Sequence, residues 1–110
     1  MVIQSNCKFI ENAEAPIVSK TFFNTVGGIL ALQVDGAKGA YFIEGRNAPT
    51  GDWYPLAAIN LSDFSVKREG IDEPGVYEIG ITSIRELRAR VESTRGRVSI
   101  VGQIISAEET

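Results

Sequence analysis

GAYFIEGRNAPTGDWYPLAAINL, residues 39–61, carries the clearest structural message in the chain. A short apolar run, 39–45, enters a polar segment, 46–52, and the chain returns through Trp53, Tyr54, Pro55 and Leu56 into a second apolar run. The polar segment is made of turn formers: Pro49 fixes φ, Gly51 permits positive φ, and Asn47 bonds to its own backbone. β-Branched and aromatic residues on both sides of such a cluster predict a β-hairpin at the centre of an all-β domain. Trp53, the single tryptophan, sits at the return and is assigned to core filling, because it is the largest apolar anchor available.

The same period recurs outward from this hairpin. Leu30, Leu32 and Val34 alternate with Ala31, Gln33 and Asp35, as a half-buried strand requires, and end at the turn dipeptide Asp35–Gly36. Residues 17–24, IVSKTFFN, predict a further strand, closed by TVGG at 25–28. Downstream, 61–67 reads as a turn with a short strand and 68–74 as a polar turn. Residues 75–81 then place Tyr77, Ile79 and Ile81 on one side, with Val76, Glu78 and Gly80 on the other. Residues 86–93 and 97–106 predict two more strands joined by Thr94, Arg95 and Gly96. In the last of these Val98, Ile100 and Ile104 share one parity while Val101 and Ile105 take the other, so this strand is central or covered by a partner subunit.

Residues 84–92 admit an alternative. Ser83 and Glu86 have capping-box spacing, and Ile84, Leu87 and Val91 recur at a helical interval. The strand reading puts Leu87, Ala89 and Val91 inside and Arg88, Arg90 and Glu92 outside, and it suits the rhythm of its neighbours better. The expectation is an all-β, antiparallel β-sandwich or jelly-roll-like domain of about seven to eight strands with little or no helix. It spans 16–110, preceded by residues 1–15 as an N-terminal arm or edge strand.

Composition narrows the function. At 110 residues, 44% hydrophobic and 23% charged, the chain fits one globular domain that holds together without staples. A net charge of −3 argues against nucleic acid, whose phosphates need a basic face. No apolar run reaches the roughly 18 residues of a membrane span. The N-terminus lacks a secretory pattern, so synthesis in a cytoplasm is expected. With no histidine, the Ser-His-Asp and Cys-His arrangements and most zinc sites are excluded. Cys7 has no second cysteine to pair with. Phosphate-binding glycine loops and nucleophile elbows are missing, and Asp63, Glu69, Asp72, Glu73 and Glu78 read as an acidic surface without calcium-loop spacing. No enzyme, no metal and no cofactor is expected.

Two groups of residues remain as interaction candidates. Arg85, Arg88, Arg90, Arg95 and Arg97 gather in the C-terminal third. They read either as a solvated face with local ion pairs or as a surface complementary to neighbouring copies or an acidic partner. Phe9 and Ile10 of the N-terminal segment, with Val101 and Ile105 on the second face of the last strand, are the apolar candidates. Tyr41, Phe42, Trp53 and Tyr54 raise sugar stacking as well; Trp53 goes to the core and Tyr54 is left open.

The order LALQVDG, GAYFIEGRNAPTGDWYPL, GVYEIGITSIRELRARVESTRGRVSIVGQIIS resembles a pattern of small β-sandwich virion proteins of tailed bacteriophages. The matching elements are Val34–Asp35–Gly36, Glu44–Gly45, Trp53 to Leu56, Gly75–Val76–Tyr77, Leu87 to Val91 and Gly96 to Ile100, over roughly 28–106. These are strand and turn positions, so no functional residue is carried over. The resemblance implies a non-enzymatic virion component assembled in the host cytoplasm, first of all a capsid decoration (cement) protein, with tail or baseplate parts as the neighbouring option. It further implies the major capsid protein or other virion proteins as partners, no cofactor, and a closed homo-oligomer, expected to be a trimer. From a different class, a carbohydrate-binding β-sandwich module would require Trp53 and Tyr54 to be exposed. If residues 1–13 are an arm, deleting them leaves a folded domain that fails to assemble.

Overall fold

A computed structural model describes residues 4–25 and 27–106, and its regular elements are all strands. In chain order they are β1 (Gln4–Ala13), β2 (Ile17–Val18), β3 (Phe22–Phe23), β4 (Ile29–Gly36), β5 (Gly39–Arg46) and β6 (Tyr54–Pro55). There follow β7 (Ala58–Asn60), β8 (Val66–Lys67), β9 (Gly75–Gly80), β10 (Glu86–Thr94) and β11 (Val98–Ile105). A six-stranded sheet runs β1-β11-β4-β9-β7-β8, and a five-stranded sheet runs β2-β10-β5-β6 with β3 also on β10. All pairings are antiparallel, and the two sheets enclose one core as a β-sandwich.

The alternation in the sequence sets this architecture. Leu30, Leu32 and Val34 of β4 meet Tyr77 and Ile79 of β9 and Val98, Ile100 and Ile104 of β11 on the inner face of the large sheet, each at most 1% exposed. Tyr41 and Ile43 of β5 and Leu87, Ala89 and Val91 of β10 answer them from the small sheet. Each such large apolar side chain contributes about 1.5–3 kcal/mol by leaving water. Residues 86–94 are therefore a strand, and the helical spacing of Ile84, Leu87 and Val91 is overridden by the ladder with β5. The 39–56 hairpin forms, with Glu44 opposite Pro55 and Gly45 opposite Tyr54, but its return strand is only two residues long because Pro55 lacks an N–H to extend it.

Three details depart from the sequence reading: the 17–24 strand, the placement of Trp53, and the burial of both Phe9 and Ile10. The 17–24 strand is split into β2 and β3. Between them Ser19 bonds β10 locally, its N–H donating to the Ala89 carbonyl and its Oγ accepting the Ala89 N–H. Trp53 is half-buried and lies outside the core. Residues 4–13 are an edge strand of the large sheet; Val2 and Ile3, grouped with it in the sequence, lie outside the described residues. Register shifts at 8–10 and 10–13, with Asn12 at φ 45°, turn the consecutive Phe9 and Ile10 both inward, to 5% and 2% exposure. A regular strand would have buried one and exposed the other.

Gly36 joins β4 to β5 at φ +114°, where a Cβ would collide with the Arg97 carbonyl, so the Asp35–Gly36 turn is closed by the backbone of the next hairpin. The two core tyrosines differ. The Tyr77 hydroxyl donates to the Glu73 carbonyl at 2.7 Å, whereas the Tyr41 hydroxyl completes no hydrogen bond among the described residues. Burial first, then the charges of Glu73, Asp72 and Asp63, push the Tyr77 phenol up to about 12, and burial pushes Tyr41 up as well. An unfolded tyrosine loses its proton near about pH 10, before the folded one does, so stability is full below about pH 10 and falls between about pH 10 and 12. Tyr77→Phe is expected to cost about 1 kcal/mol at pH 7 and to flatten this alkaline loss. Tyr41→Phe is expected to be neutral or slightly stabilising at pH 7, because the buried hydroxyl has only a poorly formed contact with Thr94. Urea unfolding of both variants at neutral and alkaline pH checks the pair; the reverse ranking would contradict the assignment.

Candidate functional site

Two outward surfaces qualify, one on each sheet. On the small sheet the even-numbered residues Phe42, Glu44 and Arg46 of β5 and Glu86, Arg88 and Arg90 of β10 all face out. The register sets Arg90 beside Phe42, Arg88 beside Glu44 and Glu86 beside Arg46. Arg88 Nε donates to Glu44 Oε1 at 2.8 Å and Arg90 Nε to Glu44 Oε2 at 3.1 Å, while Arg46 Nη2 reaches Glu86 Oε1 at 3.1 Å. The Trp53 ring has the guanidinium carbons of Arg46 and Arg88 at 4.3 and 4.5 Å from its centroid, and Arg90 lies 4.3 Å from the Phe42 ring. Trp53 thus covers an ion-pair network. Glu44 and Glu86 are 4% and 6% exposed, which makes these charge-assisted bonds worth more than surface pairs.

The structure divides the five arginines of the sequence reading. Arg88 and Arg90 spend their charge on Glu44 of the same chain. Arg85 is exposed, its backbone N–H donating to Asn47 Oδ1. Arg95 is exposed in the β10–β11 turn, and Arg97 donates from Nη1 to the Asn12 carbonyl at 2.6 Å. Phe9 and Ile10 are core residues, closed to a partner by their own sandwich. The sequence marks Glu44 and Glu86 only as turn or cap positions and Arg46 as a turn entry; their role as ion-pair partners follows from the β5–β10 register, which sets these even-numbered residues on one face.

The large sheet presents a different surface. Val101 and Ile105 of β11 are partly exposed on its outer side, and the register extends them into a band. Val101 lies beside Gln33 and Gln33 beside Val76; Ile105 lies beside Ile29; Ala31, Glu78, Ile59 and Val66 form an adjoining row. Val76 and Val66 are 50% and 48% exposed, Ile29 and Ile59 37% each, and Leu61 38%. A shallow groove of about 450 Å³ runs over the middle of this band, lined by Lys8, Ala31, Gln33, Val76, Val101 and Gly102 among others. The exposed aliphatics are interspersed with Gln33 and Glu78, so this face mixes apolar and polar side chains across four strands. Cys7 lies at this groove with 1% exposure, and burial pushes its thiol up, away from the reactive thiolate.

At the edge of the band the β7–β8 turn holds Phe64 75% exposed at φ 61°. A left-handed conformation at an aromatic residue costs about 1–3 kcal/mol and needs local support. Asn60 Oδ1 accepts the N–H and Oγ–H of Ser62, Asp63 Oδ1 accepts those of Ser65, and the Phe64 N–H donates to the Asn60 carbonyl at 2.7 Å. The two Ser65 donors hold the Asp63 carboxyl below its usual range. A short polar turn thereby fixes a large aromatic ring in solvent. The signal for this face was available in Ile29, Ile59 and Val76, which break strand alternation as Val101 and Ile105 do.

Among the described residues, no three His, Cys, Asp or Glu side chains gather into a metal-binding group. No family model and no curated protein matches the sequence. The fold, however, has solved counterparts. The SPBc2 prophage-derived protein YomS superposes with a TM-score of 0.85 over 96% of this chain and 96% of its own, at 18% identity. The PBSX exported protein XepA superposes with a TM-score of 0.84 over 96% of this chain at 18% identity, but the match spans only 38% of XepA. These structural neighbours are prophage-derived proteins, and at such identity the likeness is one of fold.

Proposed function

We propose that this chain is a non-enzymatic structural component of a phage particle, held in place through the outer face of its six-stranded sheet, and that it decorates the capsid shell. The observation that carries the reading is the apolar band of Ile29, Ile59, Val66, Val76, Val101 and Ile105, a surface that water alone covers poorly. The fold likeness to two prophage proteins supports a phage setting, as does the motif order from residue 28 onward. The partners are neighbouring copies of the chain together with the major capsid protein or another virion protein.

We further propose that copies associate head to tail through this face. The Phe64 knob sits at the β7–β8 edge, whereas the groove lies over β11 and β4, so knob and groove are different patches of one surface. A knob on one copy entering the groove of the next makes a heterologous contact, which forms a ring when the rotation between copies closes and a filament when it does not. A trimer is the expected closure.

Analytical ultracentrifugation tests the surface. The wild-type chain is expected to sediment as a trimer with a concentration-dependent melting temperature, and the double variant Ile59→Lys/Val76→Lys as a monomer that still melts cooperatively, at a lower temperature that no longer depends on concentration. A monomeric wild type, or a variant that still assembles, contradicts the proposal.

A further inference from the structure

We propose a second, separate site at the tip of the β5–β6 hairpin that binds a neutral sugar ring on Tyr54. Tyr54 is 64% exposed and stands at the rim of a groove of about 430 Å³, within the roughly 300–1,000 Å³ range of small-molecule sites. The floor is apolar and closed: at Gly45 a Cβ would come within 2.7 Å of Ile84 Cγ2 and 3.1 Å of Leu56 Cδ1. The rim is preformed. Arg46 Nη1 donates to the Gly51 carbonyl at 3.3 Å, Asn47 Oδ1 accepts the Arg85 N–H at 2.8 Å, and the Gly51 N–H closes a turn on the Ala48 carbonyl. A rim already fixed by the fold loses little entropy when a ligand arrives.

The free polar groups define the ligand. Asn47 Oδ1 is taken by the Arg85 N–H, but the Asn47 side-chain NH2 and the Asp52 carboxylate face the groove without a protein partner among the described residues. The one cation there, Arg46, is already bound to Glu86 and lies against Trp53. An anionic ligand would face Asp52 with no free counter-charge, so phosphates and acidic sugars are disfavoured. A neutral hexopyranose suits the arrangement: its C–H face lies on the exposed phenol ring and its hydroxyls meet a carboxylate acceptor and an amide donor. Trp53 is unsuited to this role because two guanidiniums lie against its ring. The site is on the small sheet, so it does not depend on the assembly reading.

The test is a titration of ¹⁵N-labelled protein followed by NMR, with two arms. One uses neutral gluco-, manno-, galacto- and N-acetylhexosamine oligomers; the other uses purified bacterial cell-wall polysaccharide. At least one probe is expected to give saturable shifts at Asn47, Asp52 and Tyr54 with a Kd of about 1 mM or tighter. Binding in the oligomer arm identifies the sugar unit, and binding in the polysaccharide arm alone identifies the cell wall as its source. Tyr54→Ala and Asp52→Asn are each expected to weaken binding at least about tenfold, worth about 1.4 kcal/mol, while Tyr54→Phe retains it. The rest of each variant's spectrum reports folding; should Tyr54→Ala unfold, Asp52→Asn against Tyr54→Phe decides. No saturable shifts in either arm, or binding by Tyr54→Ala and Asp52→Asn as tight as wild type, overturns the proposal.

Discussion

Deletion of residues 1–13 is expected to abolish folding. The segment supplies β1, which pairs with β11 from Gln4 opposite Ile105 to Ala13 opposite Val98. It buries Cys7, Phe9 and Ile10, and the Phe9 ring meets Phe22 edge-on at 4.8 Å between centroids. Burying side chains of this size contributes about 1.5–3 kcal/mol each for Phe and Ile, before the ladder hydrogen bonds are considered. The whole domain holds a net stability of only about 5–15 kcal/mol, so the loss is comparable with the total. Without β1, the inner face of β11 opens to water at the new sheet edge. The truncated chain should give a collapsed NMR spectrum and no cooperative melt, where the full chain gives both dispersion and a sharp transition. The single variant Phe9→Ala should lose about 3–5 kcal/mol and remain folded only if the starting stability exceeds that. A truncated chain that melts cooperatively would return residues 1–13 to the role of a detachable arm.

Glu44→Ala is expected to destabilise the domain by about 2–4 kcal/mol, far more than an ordinary surface change. One carboxylate, 4% exposed, holds both Arg88 and Arg90, and Arg88 in turn lies against Trp53. Removing it leaves two neighbouring guanidiniums with no shared counter-charge. Their side chains are 26% and 29% exposed, so water recovers part of the loss, which keeps the estimate below that for a fully buried pair. Arg95→Ala, at an exposed turn, should change stability by less than about 0.5 kcal/mol. Urea titration of the two variants against wild type distinguishes them. Equal, small effects would mean that the outer face of the small sheet contributes nothing internally and its arginines are kept for another purpose.

The legible part of this chain was the part where one physical cause acts alone. β4, β9 and β10 are half-buried strands with clean period-two alternation, and their inward residues were read correctly. The hairpin was legible from Asn47, Pro49 and Gly51, whose backbone preferences permit few alternatives. Where two causes compete, the sequence is silent. Phe9 and Ile10 are both buried because a bulge resets the register, and no local residue announces that bulge. Trp53 is large and apolar, which suggests core; its place is decided instead by Arg46 and Arg88, which come from two strands distant in sequence. Glu44 is an acid within an apolar strand, and its burial follows from partners on β10. The outer aliphatics were half legible: the double parity of Val101 and Ile105 shows in the sequence, but only the sheet order sets Ile29, Ile59 and Val76 on the same face.

The proposal that this chain is a repeated part of a phage particle can be measured directly. Quantitative mass spectrometry of purified particles from the source measures its copies per major capsid subunit. A ratio near that of the capsid protein is the predicted result, and it would direct attention to the outer face of the large sheet. A handful of copies per particle would move the chain to the tail or baseplate, and absence from particles would contradict the account.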